Sequence, residues 1–291
     1  GIGKSRLIAE LRKREVMQRV TLLEGRAISI GKNLSFHPII DLLKQWAEIT
    51  YDDPENRALD KLEKAVKEVN PGETDEILPF LATMMGMKLT GKYADRIRDI
   101  KDEALERLIF KNVRDLLIKG SELRPIVLIM EDLHWADTSS MDLLDTLYRL
   151  IEKHKIVFIN VFRPGYLEPW NNKITAMDQK YPAQYTEIEL CPLEKDSCEQ
   201  LIGNMLRIKG LPHGIRDQIV DRAGGNPFFI EEVVRSLIDE GAVVRGKTNF
   251  MVTEKIYSMV IPSTINDVLM ARIDRLEEQT KDLIKVASVI G

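Results

Sequence analysis

The chain has 291 residues, 44% hydrophobic and 30% charged, the balance of an ordinary soluble protein with room for more than one core. Its 42 basic and 46 acidic residues leave a formal charge of −4, so charge makes no case for a nucleic-acid-binding surface. Cys191 and Cys198 lack both C-x-x-C spacing and a His pair, and no apolar run reaches the roughly 18–20 residues that span a bilayer; reduced thiols, a cytoplasmic location, no zinc and no membrane partner are expected.

The chain opens on Gly1-Ile2-Gly3-Lys4-Ser5. Gly3, Lys4 and Ser5 fill the last three places of the phosphate-binding pattern G-x-x-x-x-G-K-[ST], whose first glycine would lie upstream of Gly1. In such a loop glycines turn backbone N–H groups toward a phosphate, the lysine reaches the β- and γ-phosphates, and the hydroxyl ligates Mg²⁺. A helix starting near Ser5 would aim its positive end at the same anion. A Gly-rich turn before Lys-Ser looks the same in isolation, so the rest of the chain must decide.

Residues 5–18 read as a helix with the stripe Leu7, Ile8, Leu11, and residues 19–29 as a strand. Loop, helix, strand is the order of a parallel α/β unit, which implies a further strand upstream of Gly1. Three helical stretches come next, from Pro38, from Asp53-Pro54 to about Val69, and over residues 75–87; Asn70-Pro71-Gly72 separates the last two. They form a helical insertion at about 34–100. Residues 101–119 repeat Leu105, Leu108, Ile109, Val113, Leu116 and Leu117 at helix period and should pack on a sheet.

Ile126–Met130 is apolar throughout, the pattern of a central parallel strand, and ends at Glu131-Asp132. Ser139 and Asp142 fit a capping box for a helix burying Met141, Leu144, Leu147, Tyr148 and Ile151. Residues 155–162 are the next strand, closed by Arg163-Pro164-Gly165, and the alternation of residues 185–190 reads as an edge strand. From 194 to 240 the pattern is helical, broken at Gly210-Leu211-Pro212 and Gly224-Gly225-Asn226-Pro227, as in a small lid. Residues 242–252 suggest a hairpin turning at Gly246-Lys247, and a new helical unit starts at Ile261-Pro262.

Two carboxylates at the C-terminal end of a buried strand sit where α/β sheets bind ligands. Glu131 is assigned to the metal side and Asp132 to water activation, an assignment that can be exchanged; without Gly1–Ser5 the pair would read as solvated acids on a loop. Arg163, just past the next strand, fits a γ-phosphate sensor and an ordinary surface arginine equally well. At Gly224–Phe228, glycine ends one helix, Asn226 caps the next and Pro227 fits its first turn; that structural account is complete, and a proline there can also pack on a purine. His134 reads as loop packing. Neither H-E-x-x-H nor G-x-S-x-G is present.

GIGKS, IVLIMEDLHWAD, VFRPGY and GGNPFFIEE, in this order, resemble the AAA-type ATPase modules of the STAND class of signal-transduction ATPases. The resemblance covers residues 1 to about 260 and is nearest to modules beside class III cyclase, kinase or LuxR-type DNA-binding domains. It implies an α/β P-loop NTPase core (1–193), a helical lid (194–260) and the start of a winged-helix domain (261–291). It implies ATP or ADP with Mg²⁺ as cofactors and covalently linked effector domains and nucleotide-dependent self-association as partners. By the same resemblance Gly1, Ile2, Gly3, Lys4, Ser5 and Arg6 hold phosphate, Ser5 and Glu131 hold Mg²⁺, Asp132 positions water, Arg163 is the first sensor, and Pro227 packs on the base. Glu131 departs from the commoner Asp. The implied activity is a slowly hydrolysing regulatory switch; the alternatives are an ADP-holding scaffold and a DNA-loading ATPase of the origin-recognition type.

Overall fold

A computed structural model describes residues 2–29, 34–163, 178–206, 211–246 and 249–290. Gly1, Pro164, Gly165, Gly210 and Lys247, singled out above, lie outside them. By contacts the chain divides into two compact units, residues 11–186 and residues 187–291 together with residues 1–10.

The first unit is built on a parallel sheet of β1 (Thr21–Arg26), β2 (Ile126–Glu131) and β3 (Ile156–Asn160), in that spatial order. β2 is central and buried at every position, which is why its sequence is apolar without alternation. Register places Leu23 beside Leu128 and Arg26 beside Glu131. One face of the sheet carries α2 (His37–Trp46), α6 (Asp102–Leu123) and α7 (Thr138–Tyr148) in a single apolar core. α2 lies so close to β1 that a Cβ on Gly25 would fall 2.2 Å from the Pro38 carbonyl oxygen, so only glycine fits this strand position. The insertion contributes α3 (Glu55–Val69), α4 (Thr74–Met84) and the short α5 (Lys92–Ile97) to the same core. α4 is buried continuously from Ile77 to Ala82, as its near-uniform apolar sequence requires.

Three local expectations change. α1 spans Lys4–Arg12 and gives way to a 3-10 turn at Glu15–Arg19, because its apolar stripe stops at Leu11 and the next apolar residue, Val16, is exposed. Residues 185–190 pair with no strand among the described residues; Ile188 is 69% exposed, and alternation without a buried face does not hold a strand. The cap of α7 is Asp137, not the Ser139–Asp142 box: Asp137 accepts from the Ser140 backbone N–H at 2.8 Å.

The insertion has its own acid-sensitive lock. Asp53, just before α3, accepts from Lys61 Nζ at 2.6 Å and the Thr50 N–H at 2.7 Å. The bond from Lys61 is the largest cause holding its carboxyl down at about 2. A depressed carboxylate stabilises the fold above the unfolded value of about 4 and loses that contribution as pH falls through its folded value. The melting-temperature gap between the wild type and Asp53→Asn is therefore expected to be constant above pH 5 and to close between about pH 4 and pH 2. A gap that does not change with pH would remove Asp53 from the acid response.

In the second unit, α8 (Lys195–Leu206), α9 (His213–Ala223) and α10 (Pro227–Asp239) enclose a separate core around Ile202, Ile219, Phe229, Val233 and Leu237. A two-stranded antiparallel hairpin, β4 (Val243–Arg245) with β5 (Phe250–Val252), closes it. α11 (Ile265–Asp274) begins at a capping box of Thr264 and Asp267, and α12 (Glu278–Ile290) comes after it.

Candidate functional site

The C-terminal ends of β1 and β2 gather four charged side chains. Glu131, the last residue of β2, has a side chain only 10% exposed, and its Oε2 accepts from Arg26 Nη2 at 2.7 Å. Arg12, at the end of α1, grips Glu24 through both Nε and Nη2 and stands 3.7 Å from Glu131 Oε1. Parallel register causes this arrangement, since it sets Arg26 directly beside Glu131 on adjacent strands. The bond to Glu131 pushes the Arg26 guanidinium further above its already high range, against the opposing pull of burial. Glu131 is thus a nearly buried carboxylate compensated by arginine, as burial of a charge demands.

Asp132 is less enclosed, its side chain 37% exposed, with Arg26 Nε 3.9 Å away. Its backbone is left-handed, φ 54° and ψ 36°, a conformation that a short polar residue tolerates. The turn is held by the Leu133 N–H on the Val161 carbonyl at 3.1 Å and by the Trp135 N–H on the Asp132 carbonyl at 2.8 Å. Beside Glu131 lies an open cleft of about 560 Å³, bordered by Arg12, Arg26, Asp41, Lys44, Tyr51 and Glu131. Burial pushes the Asp41 carboxyl up, with His37 and Lys44 pulling the other way. His134 is buried and packs on Trp135 at 5.0 Å between ring centroids.

The residues of the opening motif belong to the second unit. Gly3 has φ 103°, which favours glycine, and its carbonyl accepts from the Leu7 N–H at 2.9 Å, starting α1 at Lys4. Ile2 is half-buried, Ser5 and Arg6 are exposed, and Arg6 Nε pairs with Glu10 at 2.9 Å. A loop that turns through a left-handed glycine into a helix N-terminus is suited to an anion. Ser5 in one unit and Glu131 in the other each carry hard oxygen donors of the kind that Mg²⁺ takes.

The glycine–proline joint also lies in the second unit. Gly224 ends α9 with φ 52°, and Asn226 Oδ1 accepts from the Phe228 N–H at 3.0 Å to start α10. Gly225, with φ 78°, has no room for a side chain: a Cβ would lie 2.5 Å from the Leu193 carbonyl oxygen. The Leu193 N–H donates to the Gly225 carbonyl at 2.8 Å, so the second glycine seats the chain entering α8. Pro227, in the first turn of α10, is partly exposed. Arg163 is exposed, three residues beyond β3.

Glu131 and Asp132 therefore share one unit, whereas Gly3, Lys4, Ser5 and Pro227 belong to the other. Sequence pattern alone does not point to the arginines at Glu131, because the Arg26–Glu131 pairing becomes visible only once the strand register is known. Asp137 stands before Thr138 as a candidate cap, but the Ser139–Asp142 box competes with it in the sequence.

A parallel sheet whose central strand ends in an acid pair, joined in one chain to a glycine-turned helix N-terminus, defines an α/β protein with the parts of a P-loop NTPase core. The chain belongs to the AAA ATPase domain family, whose model matches residues 1–159. A domain family of unknown function matches residues 194–244. The chain is similar to an uncharacterized protein of Rhizobium meliloti (strain 1021), with 28% identity over 238 residues; the match covers 80% of this chain and 21% of that protein. This chain thus spans about a fifth of that relative's length. No solved structure matches. Among the described residues no helix is long and apolar enough to cross a membrane.

Proposed function

We propose that this protein is an ATP-binding, slowly hydrolysing regulatory module within a larger signalling protein of the STAND type. The observation that carries the reading is the acid pair at the end of the buried central strand, in a chain whose AAA ATPase domain match begins at the GIGKS motif. In this reading Lys4 binds the β- and γ-phosphates, Ser5 and Glu131 hold Mg²⁺, and Asp132 orients the attacking water. Gly3 and the first N–H groups of α1 bind phosphate, with Ile2 and Arg6 beside them, Arg163 senses the γ-phosphate, and Pro227 packs on the purine. Bound Mg²⁺ would neutralise charge on the transferring phosphate.

The residues around Glu131 bear directly on turnover. Arg26 already satisfies one of its oxygens, so Glu131 must share or exchange that bond as it turns to a metal. A carboxylate held this way is pre-positioned but not free, which suits slow hydrolysis. Residues 194–260 would be the lid, and residues from Ile261 the first part of a winged helix. Differential contacts in the ATP and ADP states would then shift α10 and the helices beyond it.

ATP affinity and phosphate release, measured on the full-length protein and two variants, test the reading. Lys4→Ala is expected to weaken ATP binding at least about tenfold, the loss of one charge-assisted bond. Asp132→Asn is expected to keep ATP affinity within about twofold and to slow phosphate release about a hundredfold. Unchanged ATP affinity in Lys4→Ala would refute the site. Unchanged release in Asp132→Asn would remove its catalytic role, and no release from the wild type would leave an ADP-holding scaffold.

A further inference from the structure

The first unit holds a second cavity that the proposed nucleotide chemistry does not use. It has a volume of about 120 Å³ and lies between the sheet and helices α2, α6 and α7. Its floor is buried and apolar, made by Leu23, Leu128, Ile39, Leu43, Leu116 and Leu144. Trp46 and Leu123 line its more accessible part, and Leu123 is 69% exposed. Apart from the Trp46 indole, the polar side chains among the described lining residues are those of Thr21 and Arg124. Arg124 is already turned onto the Gln18 carbonyl.

An apolar cavity of this size offers water too few partners to hold it, yet suits a hydrocarbon ring: an engineered cavity of about 150 Å³ lined by Leu, Ile and Phe stays dry and binds benzene. We propose that this cavity is a binding site for a small uncharged apolar molecule, the size of a single six-membered ring or a short branched chain. Size sets the upper limit, since a longer chain would have to leave the cavity. Lining chemistry excludes charged and strongly polar ligands, because no buried group would compensate them.

Benzene serves as the probe, with pyrimidine as its polar counterpart of equal shape, in the absence of nucleotide. The melting transition of the full chain is followed by circular dichroism. Benzene at ten times its dissociation constant is expected to raise the midpoint by about 3–5 °C, and pyrimidine to leave it unchanged. Val113→Phe, which fills the cavity from α6, is expected to abolish the benzene increment; Val113→Leu, a smaller filling change, is expected to reduce it and guards against misfolding of the first. The proposal is overturned if benzene leaves the wild-type midpoint unmoved, or if pyrimidine raises it equally. It is also overturned if benzene raises the midpoint of both filled variants as much as that of the wild type, which would place binding on exposed apolar side chains such as Leu283 and Val289 of α12. Because no nucleotide is present, failure here leaves the ATPase reading untouched, and the reverse also holds.

Discussion

Asp137→Ala is expected to lower the unfolding free energy of the first unit by about 3 kcal/mol, from loss of a helix cap together with loss of a buried partner. Asp137 is buried and takes three donors: the Phe36 N–H at 3.1 Å, the Ser140 N–H at 2.8 Å and the Ser140 hydroxyl at 2.5 Å. It therefore caps α7 and also fixes the residue before α2. Phe36 is left-handed, φ 64°, which costs about 1–3 kcal/mol for a bulky residue and persists only where its surroundings impose it. Its ring is buried edge-on against Phe110 at 6.0 Å, so it cannot relax without opening the core. Alanine would leave the Phe36 N–H without its partner while the strain stays in place, so nothing offsets the loss. Asp137→Asn keeps an acceptor for both N–H groups and is expected to cost only about 1 kcal/mol. Urea unfolding of the three proteins decides: equal losses for Ala and Asn would mean that charge, not the cap, is what Asp137 supplies.

The same residue marks the boundary between what is readable in the sequence and what is not. The central strand is legible from Ile126–Glu131 alone, because burial on both faces leaves no alternation to misread. Asn226 and Pro227 are legible because cap and first-turn chemistry are local, and the structure places both as their residue types require. Asp137 is masked by the competing box at Ser139 and Asp142, since both patterns precede the same apolar run and only backbone geometry chooses between them. Gly225 reads as a helix terminator, but its close approach to Leu193 is a tertiary fact. Arg26 and Arg12 are unreadable for the same reason: their partner Glu131 is distant in sequence and becomes adjacent through strand register and the end of α1. Residues 185–190 mark the opposite error: alternation is present, but among the described residues no second strand pairs with it and none of its side chains is buried.

The second large effect is expected at Arg272. Of the ten residues of α11 only Val268 is buried, so this helix has little apolar area with which to hold its place. Its other anchor is ionic: Arg272 Nη1 lies 2.6 Å from Glu232 Oε2, a carboxylate in α10 whose side chain is 3% exposed. Arg235 holds the other oxygen at 3.1 Å, and Arg275 adds contacts to Glu240 and Ser236 further along. Removing one partner of a buried ionic cluster costs more than the cluster is worth, because the remaining charge stays desolvated. Arg272→Ala is accordingly expected to destabilise the second unit by about 3 kcal/mol. Glu232→Leu removes the buried charge itself and frees two half-exposed arginines to hydrate, so its cost is expected to be about 1 kcal/mol or less. The order of the two losses in denaturant unfolding is the test; a larger loss for Glu232→Leu would mean the pair is strongly favourable in itself. Hydrogen exchange adds the local consequence: in Arg272→Ala the amides of α11 are expected to exchange faster while those of α10, anchored by Phe229, Val233 and Leu237 in the core, stay protected. If α10 carries Pro227 against a nucleotide at its first turn, as proposed, Glu232 is the point where a movement of that helix reaches α11.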